Sequence, residues 1–583
     1  MQTPKEHLLR NFSEALEHSF HPLSQEAGSV PLEITKSTQD KFGHYQFNSA
    51  MRLAKPLGQP PRAIAEKIIE NLSKDGMIEK LEIAGPGFVN ITLLPSYLSS
   101  LVNAIARDER AGIESPATPQ RIVIDFSSPN IAKELHVGHL RSTIIGDCLA
   151  RLFEFKGHDV VRLNHIGDWG TQFGMLIAFM KQDVPEAFQN PEGYALEDLM
   201  GWYKQAKAKF DSDENFKTNS QKEVGRLQGG DSSSLKAWEA ICSISRQSYL
   251  EIYRLLDIEI KDRGESFYNP FLKDVVDELQ KKGLVQESDG ALCIFMKGFT
   301  NREGEPLPLI IRKTDGGYNY ATTDLAAIRQ RIRDEKADRI IYVTDAGQAS
   351  HFKMIFQAAE EAGWLDPQKT RVDHVPFGLV LGPDGKKFKT RSGETERLID
   401  LITTAIEKAY SIVSERQSEM AEEEKRHLAE KLGTSSIKYA DLSCHRTGDY
   451  TFSYDRMLKF EGNTASYLLY SFVRIQGIKK KVGKETEEIL NESQAVLSHP
   501  SEIALGLHLA QFGETLDQMA NDLLPNQLTE YLYQLAEKFN AFFRDCRVEG
   551  SEEEGSRLTL IVATERVLKA GLHILGIGTV ERM

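Results

Sequence analysis

Between Arg121 and Phe126 the chain reads RIVIDF, an alternating, β-branched run that predicts a short buried strand. Ser127, Ser128, Pro129 and Asn130 break the run. From Leu140 to Gly157 apolar residues recur at helical spacing and end in glycine, a usual helix stop. The segment therefore reads strand, polar loop, helix, with His136, Gly138 and His139 where the helix opens. Asp159–Ile166 repeats the strand pattern and leads through the polar turn 167–172 into a second helical run, FGMLIAFMKQ. Strand, helix, strand predicts a βαβ unit of a parallel sheet with a right-handed crossover, and a ligand crevice at the carboxyl ends of the strands. Loops 127–139 and 165–172 both emerge there.

Further along, LPLIIRK predicts another strand, Asp315-Gly316-Gly317 a turn, and ATTD supplies cap-type residues before an apolar helix. Arg339–Thr344 and Val372–Leu381 predict two more strands. Residues from 178 to about 300 are mostly charged and helical and read as an insertion, with Glu265 closing one of its strands. Upstream, residues 1–117 read as a self-contained unit, with a hairpin or bulge at Gly85-Pro86-Gly87 and a linker at 114–119. Beyond about 400 strand signals vanish and helical patterns follow one another. The expectation is a doubly wound, Rossmann-like parallel α/β sheet with an N-terminal α/β module and an all-α C-terminal bundle. Its parts are 1–117, 118–400 with the insertion 178–300, a helical connector 401–455, and a bundle 456–583.

Length supports this division, since 583 residues suggest about three or four domains. No uninterrupted apolar run reaches the roughly 18 residues of a membrane span. The first twenty residues are amphipathic and carry acidic groups, and read as part of the fold, not as a targeting signal. Five scattered cysteines, without a C-x-x-C pair, argue for a reducing compartment and against a disulfide framework. The formal net charge of −14 means that any nucleic-acid binding must rest on local basic patches.

A helix N-terminus presents free backbone N–H groups and partial positive charge, so two imidazoles and a glycine there suit phosphate. A second candidate is the basic loop Lys386-Lys387-Phe388-Lys389-Thr390-Arg391-Ser392-Gly393, whose cations lie beside glycines. His136 and His139 have H-x-x-H spacing, but no Glu follows the first His and no third ligand stands out, which argues against zinc. No G-x-x-x-x-G-K-[ST] loop occurs, which excludes P-loop chemistry. Phe42 to Asn48 is aromatic and amide-rich, a composition able to stack and hydrogen-bond an unpaired base. Arg456, Lys459, Tyr467, Tyr470, Arg474, Lys479, Lys480 and Lys481 interleave cations and aromatics at helical spacing, which suits an RNA backbone.

HVGH opening a helix, with a basic loop after the last strand, resembles the two signatures of class I aminoacyl-tRNA synthetases. SSPNIAKELHVGHLRSTIIGD, NHIGDWGTQFG, YATTDLA, DAGQASHF and FKTRSG, in this order, resemble the arginyl-tRNA synthetases among them. The likeness runs from FGHYQFNSAM and AGPGFVNITL to GNTASYLLYSFVRI and the terminal VERM, essentially the whole chain. It implies activation of arginine by ATP and transfer to the terminal ribose of tRNA(Arg), with Mg²⁺ entering on the ATP and no tightly bound metal or organic cofactor. Asp125, Ser127, Asn130 and His136 would hold the amino acid near its α-amino end. Tyr320 and Asp324 would contact the substrate, with Asp324 and Glu265 the acidic candidates for the guanidinium, a planar cation best read by carboxylates and aromatic edges, and Gln348 would close the pocket. His136, Gly138 and His139, with Lys387, Lys389 and Arg391, would hold ATP.

The basic loop departs from the K-M-S-K-S of most class I enzymes, placing Thr390 where the second lysine belongs. Arginyl enzymes often carry a lysine just ahead of HxGH instead, and Lys133 stands there. Tyr45, Gln46 and Asn48 would meet the tRNA D-loop, and Asn463, Tyr467, Tyr470 and Arg474 the anticodon arm, with Met583 nearby. The resemblance further implies a cytoplasmic monomer whose pyrophosphate exchange requires tRNA. Another class I synthetase, or a catalytically inactive tRNA-binding paralogue, are the alternatives.

Overall fold

The computed structural model describes residues 1–22, 25–73, 76–301, 303–382, 384–386 and 396–583. Near the N-terminus four antiparallel strands, β1 (Ile34–Lys36), β2 (Tyr45–Phe47), β3 (Ile78–Ala84) and β4 (Phe88–Leu93), lie in the order β1-β2-β4-β3. Alternation along β2 sends Tyr45 and Phe47 into the core and leaves Gln46 half-buried on the other face.

The chain then enters β5 (Arg121–Asp125), β6 (Asp159–Asn164) and β7 (Lys261–Asp262). Next come β8 (Gln286–Ser288), β9 (Ala291–Thr300), β10 (Pro306–Arg312), β11 (Arg339–Asp345) and β12 (Arg371–Phe377), and last the short β13 (Val380–Leu381) and β14 (Tyr450–Thr451). Five of them form one wholly parallel sheet in the order β12-β11-β5-β6-β7. The chain winds outward from β5 in both directions, so the order reverses between β5 and β11. A crevice opens at such a reversal, beyond the carboxyl ends of the two strands. Helix Val137–Phe155 connects β5 to β6 and packs hard against the end of β5. A Cβ on its Gly146 would come within 2.2 Å of Phe126 Cγ, so only glycine permits that approach.

Five sequence expectations change here. LPLIIRK is a strand, but β10 belongs to a separate antiparallel sheet, β10-β9-β8, because the short β9–β10 connection cannot make a parallel crossover. The helical insertion is made of Leu196–Ser212, Glu214–Gln228 and Ser232–Leu255, after which β7 already returns to the main sheet. Glu265 closes no strand; it opens helix Glu265–Lys281. ATTD lies inside helix Tyr320–Arg333, whose cap is Asn319, accepting the Tyr320 N–H on its own side chain. The strand predicted over 372–381 is interrupted at Gly378, where a side chain would collide with the Gly448 carbonyl.

Helices Leu398–Arg416 and Glu422–Leu442 pair and connect the sheet to the C-terminal helices Ala465–Val482, Pro500–Ala510, Phe512–Asp522, Asn526–Asp545 and Glu554–Ile574. Buried polar contacts tie the parts. Arg141, on the helix after β5, pairs with Asp441 at 3.2 Å, and both are almost fully buried. Tyr45 donates its hydroxyl to Glu514 at 2.7 Å, joining the N-terminal sheet to the bundle. Among the described residues no helix is long and apolar enough to cross a membrane.

Candidate active site

The loop after β5 holds three non-glycine residues in the left-handed region, Ser127 (φ 67°), Ser128 (φ 50°) and Ala132 (φ 59°). Each costs of order 1–3 kcal/mol and persists only where surroundings over-determine it. They do so here. Ser127 N–H donates to Ser142 Oγ (2.9 Å), Ser128 N–H to Asn164 Oδ1 (2.9 Å) and Ala132 N–H to Ser245 Oγ (3.0 Å). Ser127 Oγ also meets Tyr253 OH at 2.6 Å. Ser245 and Tyr253 both come from the insertion, which therefore braces the loop. Asn130 bridges to Gly167, so the loops after β5 and β6 converge as expected.

His136 caps the following helix through its ring: Nδ1 accepts the Gly138 N–H at 3.0 Å, while His139 Nδ1 accepts the His136 N–H at 3.2 Å. Both orphan donors at the helix start are thereby met. With Nδ1 an acceptor in each, a neutral ring carries its proton on Nε2. Burial and the charge of Lys133 hold His136 below the usual imidazole range. Burial, then His136 and Lys133, push His139 down to about 4. The result is two neutral rings, 4.2 Å apart, each with an Nε2–H left over. A Cβ at Gly138 would lie 2.7 Å from His136 Cε1, so glycine here makes room for the capping ring.

A cavity of about 790 Å³ opens at the β5–β11 reversal. It brings together Ser127, Asn130, His136, Gly138, His139, Tyr320, Asp324 and Gln348. It is also lined by residues that sequence reasoning did not assign: Arg141, Asp345, His351, Phe377 and Val380. His351 stood within DAGQASHF, at the same three-residue spacing from Gln348 that separates His136 from His139. Tyr320 is 60% exposed at the rim, and one helical turn on, Asp324 Oδ2 accepts a 2.6 Å hydrogen bond from His351 Nε2.

Asp125 is a correction. Its carboxylate is buried and already spent on Arg331, with Oδ2 at 2.7 Å from Nη2 and Oδ1 accepting from Ser128 Oγ at 3.0 Å. It anchors the helix that carries Tyr320 and Asp324 instead of facing the cavity. Glu265 lies outside the cavity lining but within electrostatic reach. Burial, Asp324 and Asp168 push its carboxyl up to about 7. Asp168 fixes that helix start by accepting from Ser266 N–H (2.8 Å) and Oγ (2.6 Å).

Lys387, Lys389, Thr390 and Arg391 lie outside the described residues. Immediately after them, Val137 N–H donates to Glu396 O (3.2 Å) and Leu398 N–H to Leu135 O (2.9 Å), so residues 396–398 are stitched to the HVGH segment. Lys133 is exposed at the mouth of the strained loop. Among the described residues no group of three His, Cys, Asp or Glu side chains is placed to hold a metal ion.

The RNA-facing expectations divide. Tyr45 and Phe47 are fully buried, so neither stacks a base; Tyr45 faces Glu514. Gln46 and Asn48 remain half-exposed, bonded to Asn90 (2.7 Å) and Thr35 (3.0 Å). Asn463 is exposed and accepts from Tyr439, while Tyr467 shares its hydroxyl with Glu537 and Asn540. Tyr470 is exposed with Arg474 over its ring at 5.3 Å. Lys479 is withdrawn from the basic stripe, buried against Glu565 at 2.7 Å.

The sequence matches three family descriptions in order: the arginyl-tRNA synthetase N-terminal domain over residues 6–93, the catalytic domain of class I tRNA synthetases for arginine over 100–454, and the DALR anticodon-binding domain over 468–583. It is 60% identical over 574 residues to the arginine–tRNA ligase of Protochlamydia amoebophila, covering 98% of each chain. To that of Synechococcus elongatus it is 51% identical over 590 residues, covering 100% of each. Among solved structures the arginyl-tRNA synthetase of Plasmodium falciparum superposes with a TM-score of 0.86 at 33% identity, covering 100% of both chains.

Proposed function

The chain belongs to the arginyl-tRNA synthetase family, and from that premise we propose how its crevice performs the reaction. Arginine's carboxylate attacks the α-phosphorus of ATP, pyrophosphate leaves, and the arginyl group then passes to the terminal ribose of tRNA(Arg). No covalent protein intermediate is required. The protein's work is to position the reactants and to stabilise charge on the phosphates.

His136 and His139 act as neutral Nε2–H donors to phosphate oxygens. The observation that carries this reading is the reciprocal Nδ1 capping, which leaves one donor on each ring at a helix N-terminus lining the cavity. Gly138 keeps that arrangement open. Gly138→Ala, which presses a methyl on the His136 ring, should lower the rate of arginine activation about ten- to a hundredfold, a cap and a phosphate donor being lost together. Single-turnover adenylate formation would measure it. Ser127, Asn130 and Gln348 hold the amino acid, and Tyr320, Asp324 and Glu265 its guanidinium. Lys387, Lys389 and Arg391 contribute charge to ATP, and Mg²⁺ arrives with the triphosphate, held by phosphates and water. Gln46 and Asn48 meet the D-loop, and Asn463, Tyr470 and Arg474 the anticodon arm, with Tyr467 orienting that surface. A single chain carries all of these surfaces, in keeping with a monomer working in the cytoplasm.

Glu265 gives arginine binding a pH signature. A guanidinium binds the ionised carboxylate, and the empty site holds this carboxyl up at about 7. Below that pH a proton must leave before the cation can pair. Arginine KM should therefore fall as pH rises from 5.5 and level off above 7, by up to about tenfold per unit. Glu265→Gln should flatten the profile and raise KM throughout. An unchanged profile in the variant would remove Glu265 from the pocket.

The deciding experiment is arginine-dependent exchange of pyrophosphate into ATP, run with and without tRNA(Arg). Exchange that needs both arginine and tRNA is the expected result; no exchange in either condition would favour an inactive tRNA-binding paralogue.

A further inference from the structure

We propose that His351 is a positioning residue for arginine recognition, holding Asp324 and Tyr320 in the geometry that receives the guanidinium. The inference rests on the reading of Asp324 as a guanidinium ligand. Asp324 and Tyr320 sit one turn apart at the N-terminal end of helix Tyr320–Arg333. His351 approaches from helix Ala349–Glu361 and does two things at once. Its Nε2 takes Asp324 Oδ2 at 2.6 Å, and its ring lies 4.9 Å from that of Tyr320, tilted by 52°. Both residues line the cavity beside it.

His351 is itself held firmly. Its ring meets Phe352 edge-on at 5.4 Å, and Phe352 stacks on His374 at 5.1 Å. His374 Nε2 in turn bonds Thr344 Oγ1 at 2.8 Å, at the end of β11. The turn that delivers His351 is pinned by Asp345, whose Oδ1 accepts the Gly347 N–H at 2.9 Å. A column of rings thus runs from the sheet to the cavity rim and ends on the carboxylate.

The consequence is chemical as well as geometric. A free aspartate would offer a guanidinium both oxygens as a fork. With Oδ2 engaged by His351, Asp324 presents Oδ1 in a fixed direction and meets the substrate through that oxygen. The rotamer entropy of the carboxylate is spent before arginine arrives, so less is lost when the cation binds.

The test uses the full-length enzyme with tRNA present, and measures arginine and ATP KM by pyrophosphate exchange for His351→Ala, His351→Gln, Asp324→Ala and the double variant His351→Ala/Asp324→Ala. His351→Ala should raise arginine KM about tenfold or more, the loss of a charge-assisted hydrogen bond, with ATP KM within about twofold of the parent. His351→Gln, which can restore a donor to Oδ2, should recover most of the loss. The double variant should be no worse than Asp324→Ala alone, because the two act as a unit. If Asp324→Ala leaves arginine KM unchanged, the guanidinium reading itself fails. If Asp324→Ala raises it and His351→Ala does not, the positioning role alone falls. Equal rises in ATP and arginine KM with a lowered melting temperature, not rescued by Gln, would reduce His351 to a packing residue and overturn the proposal.

Discussion

Lys133→Ala should cut arginine activation by about a hundred- to a thousandfold while leaving arginine KM nearly unchanged. The chain has Thr390 where the K-M-S-K-S of most class I enzymes carries its second lysine, so one positive charge on the α-phosphate is unaccounted for. Lys133 stands three residues before His136 and is exposed, and its charge is close enough to help depress both imidazoles. A unit charge about 4 Å from a phosphate oxygen, at an effective dielectric of about 20, is worth roughly 4 kcal/mol. About 1.4 kcal/mol corresponds to a factor of ten in rate, which sets the expected scale. The effect belongs to the transition state because negative charge builds on the phosphates as pyrophosphate separates. Lys133→Arg should keep part of the rate, having the charge but a different reach. Rapid-quench measurement of adenylate formation separates the outcomes: near-normal turnover in Lys133→Ala sinks the assignment, and a dominant change in arginine KM would move Lys133 to the amino-acid side.

The second large effect is on stability. Arg331→Ala should destabilise the catalytic domain by about 3–5 kcal/mol, the range for removing one partner of a buried ion pair. Arg331 is fully buried, pairs with Asp125 at 2.7 Å and lies over the Tyr342 ring at 5.1 Å. Its removal leaves the Asp125 carboxylate unpaired beneath the strained loop. Replacing both members, as Asp125→Asn with Arg331→Met, removes the stranded charge and should recover a substantial part of the loss. Thermal melting of the three proteins checks this. A single variant that melts with the parent would show that the pair contributes nothing net.

The contrast between these two residues shows what the sequence made legible. The β5–loop–helix segment was readable because its signals are local: alternation, a Ser/Pro/Asn break, then helical spacing ending in glycine. HVGH and its glycine followed from the same short range. Asp125 was placed at the substrate by resemblance alone, and no local pattern shows that its ion-pair partner, Arg331, sits on another helix far along the chain. Tyr45 misled for the same reason, since Glu514 of the bundle takes the hydroxyl that seemed free for RNA. Glu265 was set at the end of a strand but opens a helix, because the two-residue β7 before it is too short to leave a pattern. His351 had no signal of its own beyond its spacing from Gln348; its meaning comes from where two helices meet.

The bracing of the strained loop has a consequence for the order in which this enzyme can be made. Ser127 to Ala132 take their geometry from Ser142 and Asn164 nearby, but also from Ser245 and Tyr253 in the insertion. The HVGH segment beyond them is fixed by Glu396 and Leu398. A nascent chain that has emerged only through its first βαβ unit holds the sequence of the phosphate site without its shape. Ala132 has nothing to compensate its strain, and the Ser127 hydroxyl no Tyr253 to meet, until the insertion folds back, and the helix tip has no edge to pair with until residue 398 is free of the ribosome. Catalytic competence is thus deferred to the last third of synthesis, while the motif itself is finished in the first quarter.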